Sequence, residues 1–295
     1  AEGTAIKDLF KSDRVLIGGD KSKEGIKAVN SLVEIYKRWI PEEKILKLNI
    51  WSSELSKLVS NAMLAQRISS VNSISGLCEK TGADIDEVSL AVGMDSRIGG
   101  SFLKASIGFG GSCFKKDILN LVYILQYYGL DIEARYWQGV IDINHNQTER
   151  FAEFISKTIK SGDKRNISIF GWAFKKNTND SRESASIYLA RNLINNKIAV
   201  KIYDPMVSQE RVAEDLAQFN IASNTGLFSV HDSPYNAIKS SDGIAICTEW
   251  DEFVSLNWDS IYKDMNPTPW IFDGRNILDR EKLEKVGFNI YSLGK

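Results

Sequence analysis

The feature that most constrains the fold is an alternation that begins near Ile167 and runs to the end of the chain. Short apolar runs at Ile167–Phe170, Val200–Tyr203, Gly243–Cys247, Trp270–Phe272 and Phe288–Tyr291 alternate with segments of helical spacing at Ser184–Ile194, Gln209–Phe219, Tyr235–Ser240, Ser260–Met265 and Glu281–Val286. Buried strands alternating with helices predict a parallel, doubly wound α/β sheet, since parallel neighbours need crossovers that cover the sheet faces. Such sheets bind ligands beyond the carboxyl ends of their strands, where Lys175, Asp204, Glu249 and the Asp273-Gly274-Arg275 turn fall. Two cations at strand ends, Lys175 and Arg275, point to an anionic ligand. Cys247 lies in one of these runs and reads as structural.

The preceding half is organised differently. Arg14–Ile17 reads as a strand ended by Gly18-Gly19, Ile26–Trp39 as a helix and Lys44–Ile50 as another strand, an α/β unit with no GxGxxG phosphate loop before it. Ser52–Lys80 then has apolar residues three and four apart, which predicts one long helix of about 40 Å, enough to bridge domains or pair with its own copy. Thr81-Gly82 ends it, and Asp84 with Glu87 has capping-box spacing for a helix over Ile85–Val92. Ile118–Tyr128 and Ile132–Asn146 continue the helical region, and the polar run Lys160–Asn166 marks a boundary. The expected parts are therefore 1–50, the end of an α/β domain; 51–160, a long-helix domain; and 161–295, a Rossmann-like domain.

Between the helices lies KASIGFGGSCFKKD, Lys104–Asp117. Its glycines 108, 110 and 111 permit positive φ and close approach of a ligand to the backbone. Cys113 stands where a helix begins, and the unpaired N–H groups there, with Lys115 and Lys116, favour a thiolate. Asp117 lies four residues on, on the same helical face. On the long helix Lys57 and Asn61 project together one turn apart, although by composition alone they read as a solvated charge and a surface amide. A glycine-rich turn followed by an inert cysteine is the alternative reading of the loop.

Composition narrows the classes of partner. With 37 basic against 38 acidic residues the formal net charge is -1, which gives no reason to expect nucleic acid or a membrane surface. No apolar run approaches the length of a membrane span, and AEGTAIKDLF has neither part of a signal peptide nor an initiating Met, so a piece of a longer chain is expected. Three widely spaced cysteines, Cys78, Cys113 and Cys247, argue against a disulfide framework or a zinc site and for a reducing cytoplasm. The two histidines, His145 and His231, lie in polar stretches, so acid and base work falls to Lys, Asp and Glu.

Several long segments in one order carry a resemblance: AEGTAIKDL, WSSELSKLVSNAMLAQRISSVNSIS, FLKASIGFGGSCFKKD, GWAFKKNTNDSRES and IFDGRN. Over essentially the whole chain the sequence resembles the UDP-glucose 6-dehydrogenases, eukaryotic members above all. The resemblance implies an N-terminal NAD-binding domain ending near the start of this chain, a central helix used in dimerisation, and a C-terminal domain for the UDP part of the substrate. The implied reaction oxidises the C6 alcohol of UDP-glucose to a carboxylate with two NAD. By position Cys113 resembles the nucleophile, Lys57 and Asn61 the pair that meets the oxyanion, and Asp117 the group that positions or activates water. The implied substrate set is Lys57, Leu58, Val59, Ser60, Asn61, Arg97, Lys104, Ala105, Ser106, Ile107, Gly108, Phe109, Gly110, Phe174, Lys175 and Arg275, with Arg97 reaching a neighbouring subunit in the family. Glu2, Cys113, Phe114, Lys115, Lys116 and Arg182 match positions near the nicotinamide cofactor; no metal is implied. Two alternatives stay open: a UDP-sugar-binding and dimerisation module without catalysis, and a GDP-mannose or UDP-N-acetylhexosamine dehydrogenase sharing the cysteine chemistry.

Overall fold

The computed structural model describes residues 5–159, 165–222 and 225–295. Glu2 and most of the polar run at 160–166 lie outside the described residues. The chain divides into two compact units, Ala1–Met63 and Leu64–Lys295.

In the first unit, α1 (Ala5–Phe10) precedes β1 (Val15–Gly19), α2 (Lys23–Tyr36) and β2 (Ile45–Asn49), and the two strands pair in parallel. Gly18 and Gly19 belong to the strand rather than ending it, because a Cβ on Gly18 would lie 2.6 Å from Ser53 Cβ and one on Gly19 2.3 Å from Val29 Cγ2. The expected helix starts three residues earlier, where the Ser22 hydroxyl accepts the Gly25 N–H, and stops at Tyr36. Ile17, Val33, Ile40 and Ile45 form its small core.

Helix α3 (Ile50–Thr81) begins in the first unit and continues into the second, about 48 Å of unbroken helix. Gly82 ends it at φ 78°, its N–H donated to Cys78 O. There follow α4 (Ile85–Met94), α5 (Phe114–Tyr127) and α6 (Asp131–Thr158), the last a dozen residues longer than its sequence pattern announced. Asp84 caps α4 through the Asp86 N–H.

The remainder of the second unit is the predicted parallel α/β sheet. Its elements are β3 (Arg165–Phe170), α7 (Ala185–Asn195), β4 (Ile198–Tyr203), α8 (Gln209–Ala217), β5 (Phe228–Val230), α9 (Pro234–Ala237), β6 (Gly243–Ile246), α10 (Asp251–Val254), α11 (Trp258–Asp264), β7 (Trp270–Asp273), α12 (Arg280–Val286) and β8 (Asn289–Ser292). Strand order is β5-β4-β3-β6-β7-β8, all parallel, so the order reverses between β3 and β6, where such sheets take nucleotides. Strand β5 was not legible in the sequence: it is three residues long, and only Phe228 of the three is buried. The core fills both sides of the sheet, with Ile167, Ile169, Phe170, Ile202, Ile244, Ile246, Ile271 and Phe272 fully buried. Each such side chain contributes roughly 1.5–3 kcal/mol on transfer from water, which fixes the strand ends rigidly enough to present a site.

Candidate functional site

The glycine-rich loop is almost wholly buried from Ala105 to Phe109 and is held by side-chain amides. Asn72 on α3 accepts the Ser106 N–H at 2.9 Å; Asn144 on α6 accepts the Phe109 N–H at 2.7 Å and donates to Phe109 O at 3.1 Å. One turn further on, Gln147 donates to Ser106 O and Thr148 to Ile107 O, at 3.0 and 2.7 Å. A buried loop must satisfy its peptide groups, and here side chains do what a neighbouring strand would do elsewhere. Positions 144, 147 and 148 lie on the same α6 face as Val140, Ile141, Phe151, Ala152 and Ile155, all buried. Polar residues in an apolar stripe are the sequence sign of this clamp.

The loop also docks on the sheet. Ile107 N–H donates to Gly274 O at 3.1 Å, and a Cβ on Gly274 would lie 2.3 Å from Ile107 Cγ2, so only glycine lets the β7 end approach. This brings Arg275 into the cluster. Its Nε donates to Cys247 O at 2.6 Å, Nη2 to Phe174 O at 3.4 Å, and Nη1 lies 3.4 Å from Glu249 Oε2. The preceding Asp273 is buried and caps the turn by accepting the N–H groups of Arg275, Ile277 and Leu278; burial pushes its carboxyl above the ordinary range despite those donors. Phe174 in turn covers Gly111, whose Cβ position lies 3.1 Å from its ring. The structure therefore gathers the 105–111 loop, Phe174 and Arg275 at the carboxyl edge of the sheet, beside the reversal of strand order.

The first strand of this sheet ends in Gly171-Trp172-Ala173, where a dinucleotide fold would offer backbone N–H groups to phosphate. Here Asp204, at the end of β4, accepts the N–H of Trp172 at 2.6 Å, that of Ala173 at 2.9 Å, and Trp250 Nε1 at 3.2 Å. Those donors are consumed within the protein. A nucleotide diphosphate at this edge must be met by Arg275 and the neighbouring loops, and a dinucleotide pyrophosphate finds no cradle on this strand.

Cys113 is exposed and occupies the N-cap position of α5, as the sequence predicts, with Ser112 Oγ 3.7 Å from its sulfur. Asp117 is 2% exposed on the first turn, its N–H donated to Cys113 O. Cys78 and Cys247 are buried, and burial pushes the Cys247 thiol up to about 12, so that sulfur stays protonated and inert. Lys116 is exposed. Lys115 turns to a different partner than the thiol: its Nζ donates to Glu183 Oε2 at 2.8 Å and to Tyr188 OH at 3.2 Å, while Tyr188 OH donates to the same carboxylate oxygen. Desolvation alone would lower the Lys115 ammonium, yet the bonds to Glu183 and Tyr188 outweigh it and hold the group above its ordinary value. Burial likewise would raise Glu183, and the Lys115 and Tyr188 hydrogen bonds hold it below instead. Arg182 chelates Asp180 through Nε and Nη2 at 2.9 and 2.7 Å.

Arg97 follows α4, its side chain 87% exposed and bonded to Asp95 at 2.6 Å. Lys104 is exposed, and Lys175 lies with its Nζ 5.7 Å from the Phe174 ring centroid. Lys57, Leu58, Val59, Ser60 and Asn61 belong to the part of α3 in the first unit, where Ser60 Oγ accepts Arg14 Nη2 at 2.8 Å and Lys57 and Asn61 are successive turns of one face.

Fold and site together define a doubly wound α/β protein with an exposed thiol at a helix N-terminus. Residues 51–146 match the central domain of the UDP-glucose/GDP-mannose dehydrogenase family and residues 168–280 its UDP binding domain. The chain belongs to the UDP-glucose/GDP-mannose dehydrogenase family. It is 51% identical over its whole length to the UDP-glucose 6-dehydrogenases of Drosophila melanogaster and Mus musculus, spanning 63% and 61% of those proteins, and 49% identical to UDP-glucose 6-dehydrogenase 4 of Oryza sativa subsp. japonica, spanning 64%. Among solved structures it resembles a UDP-glucose dehydrogenase from the hyperthermophilic archaeon Pyrobaculum islandicum, with a TM-score of 0.80 at 29% identity over 98% of this chain and 60% of that one. A UDP-D-ManNAc dehydrogenase from Pyrococcus horikoshii gives 0.74 at 27% identity, over 99% and 62%. The chain thus spans less than two thirds of the relatives it matches.

Proposed function

We propose that this chain is the larger part of an NAD-dependent UDP-glucose 6-dehydrogenase, with the parts expected from the sequence: the end of a cofactor domain to residue 50, a central domain to 160 and a UDP-binding domain beyond. The observation that carries the reading is the gathering of the Cys113 loop, Phe174 and Arg275 at the nucleotide edge of the sheet. The UDP diphosphate lies against Arg275 and Lys175, and the sugar against Ala105–Gly110, with Arg97 and Lys104 completing the set. Once the C6 alcohol stands at the aldehyde level, the Cys113 thiolate adds to C6 and forms a C–S bond, giving a thiohemiacetal; its oxygen is met by Lys57 and Asn61. At the thioester level water attacks C6, the C–S bond breaks and the thiolate leaves, with Asp117 orienting the water.

NAD, when bound, accepts the hydride in each of the two oxidations. By position Cys113–Lys116 and Arg182 suit its nicotinamide end, together with Glu2, which lies outside the described residues, and the β3 turn offers its pyrophosphate no free N–H groups because Asp204 takes those of Trp172 and Ala173. In a full-length version, replacing Cys113 by Ser abolishes turnover and leaves UDP-glucose affinity within about twofold; unchanged turnover would remove Cys113 from this role.

A second reading is a UDP-sugar-binding and dimerisation module without catalysis, its support the β3 turn, whose N–H groups are taken up by Asp204. Calorimetry of this chain with UDP-glucose and with NAD, beside an NADH assay, separates the two: sugar-nucleotide binding alone supports the module, and NADH production excludes it. The same titration with GDP-mannose and UDP-N-acetylhexosamines tests the substrate. We also propose a cytoplasmic homo-oligomer built on α3, with no nucleic-acid or membrane partner. Its support is a stripe of exposed Val59, Met63, Ile74 and Leu77, which falls within roughly 60° of arc on that helix, and three cysteines without a disulfide. Among the described residues no helix is long and apolar enough to cross a membrane.

A further inference from the structure

We propose that Glu183 is a positioning residue for Cys113, holding both flanks of the Ser112-Cys113 step in one arrangement through its backbone and its carboxylate. The inference rests on the reading of Cys113 as the nucleophile.

On the upstream flank, the 182–183 turn meets the glycines: Gly111 N–H donates to Arg182 O at 2.8 Å, and a Cβ on Gly110 would lie only 2.6 Å from Glu183 O. Glu183 reaches that position at φ 54°, a backbone conformation that residues with a Cβ adopt only under constraint. On the downstream flank, the Glu183 carboxylate accepts from Lys115, on the first turn of α5, and from Tyr188 on α7, whose ring also lies under the ammonium at 5.5 Å. Charge-assisted bonds of this kind are short and directional, so they fix geometry as well as supply attraction.

Phe109, Gly110, Gly111, Lys115, Glu183 and Tyr188 all line a cleft of about 160 Å³, partly open to solvent, between α5, α6 and α7. Phe174 packs against the Gly110-Gly111 turn, and on the cleft side the polar network holds it. The loop upstream is anchored by a separate set of hydrogen bonds, to Asn72, Asn144 and Thr148. That separation makes the role measurable.

The test uses this chain with Glu183→Ala and Glu183→Gln. Residue-resolved hydrogen exchange follows the Gly111 amide, bonded to Arg182 O, and the Phe109 amide, bonded to Asn144. A trifluoromethyl tag on Cys113, selective because the other two cysteines are buried, reports its position by fluorine NMR. In Glu183→Ala the Gly111 amide exchanges about tenfold faster, Phe109 is unchanged and the fluorine line broadens or splits. Glu183→Gln, which keeps an acceptor oxygen for both donors, restores a single line. Unchanged Gly111 exchange, equal acceleration at Phe109, or a single line in Glu183→Ala each overturns the proposal. Should Glu183→Ala not fold, Tyr188→Phe removes one donor and keeps the ring; about threefold faster Gly111 exchange supports the role and no change overturns it. None of these readouts requires turnover, so failure of the enzymatic reading leaves a different trace.

Discussion

Gly108, Gly110 and Gly111 do different work, although the sequence offers one reason for all three. Gly108 at φ 137° and Gly111 at φ 86° need the freedom of a residue without Cβ. Gly110 has no positive φ; it is glycine because Glu183 O and Phe174 Cβ stand 2.6 and 2.9 Å from where a Cβ would be. Gly110→Ala therefore pushes the 182–183 turn away and costs about 1–3 kcal/mol, read as a lowered urea midpoint, with weakened UDP-glucose binding in calorimetry. Asn144→Ala strips the partner from both the N–H and the carbonyl of Phe109 at once. A loss of about 2–4 kcal/mol is expected, and a loss under about 1 kcal/mol would show that water replaces the amide.

At the scale of elements, α5 is joined to the turn before α7 by the Lys115–Glu183 pair, and that joint responds to pH. The Glu183 carboxyl sits below its ordinary value of 4.5 in the folded chain, so its contribution is present above about that pH and is lost as pH falls through the lowered folded value. Lys115, raised above 10.5, keeps its share until pH rises through its folded value, so between these limits the pair is intact. The stability gap between wild type and Glu183→Gln in urea should hold at neutral pH and shrink below about pH 4.5. A gap that grows on acidification would contradict the sign. The β3–β4 edge makes a second element-scale case. Asp204 serves Trp172, Ala173, Met206 and Val207 N–H groups and Trp250 Nε1, so Asp204→Ala leaves several buried donors without an acceptor. A loss of about 3 kcal/mol or more in thermal or urea unfolding follows.

For the molecule as a whole, an oligomer through α3 predicts that Met63→Glu with Leu77→Glu lowers the sedimentation coefficient to that of a 33.1 kDa monomer, while the far-ultraviolet spectrum stays unchanged. A variant that sediments like wild type would move the interface elsewhere. Element order in the second unit was legible because buried strands and amphipathic helices write their periods into the sequence, and Cys113 at the start of α5 was legible from the glycines before it. Strand β5 was not, since three residues with one buried side chain carry no period, and α6 was underestimated because its buried face includes Asn144, Gln147 and Thr148. Nor did the sequence show that Lys115 is paired with Glu183. The sequence by itself determined the parallel α/β architecture, the long helix and the position of the thiol, since those follow from local spacing. Only the tertiary structure decided what holds the loop, because its anchors are polar contacts between residues 34, 35 and 68 positions apart, and no local period encodes a partner at that distance.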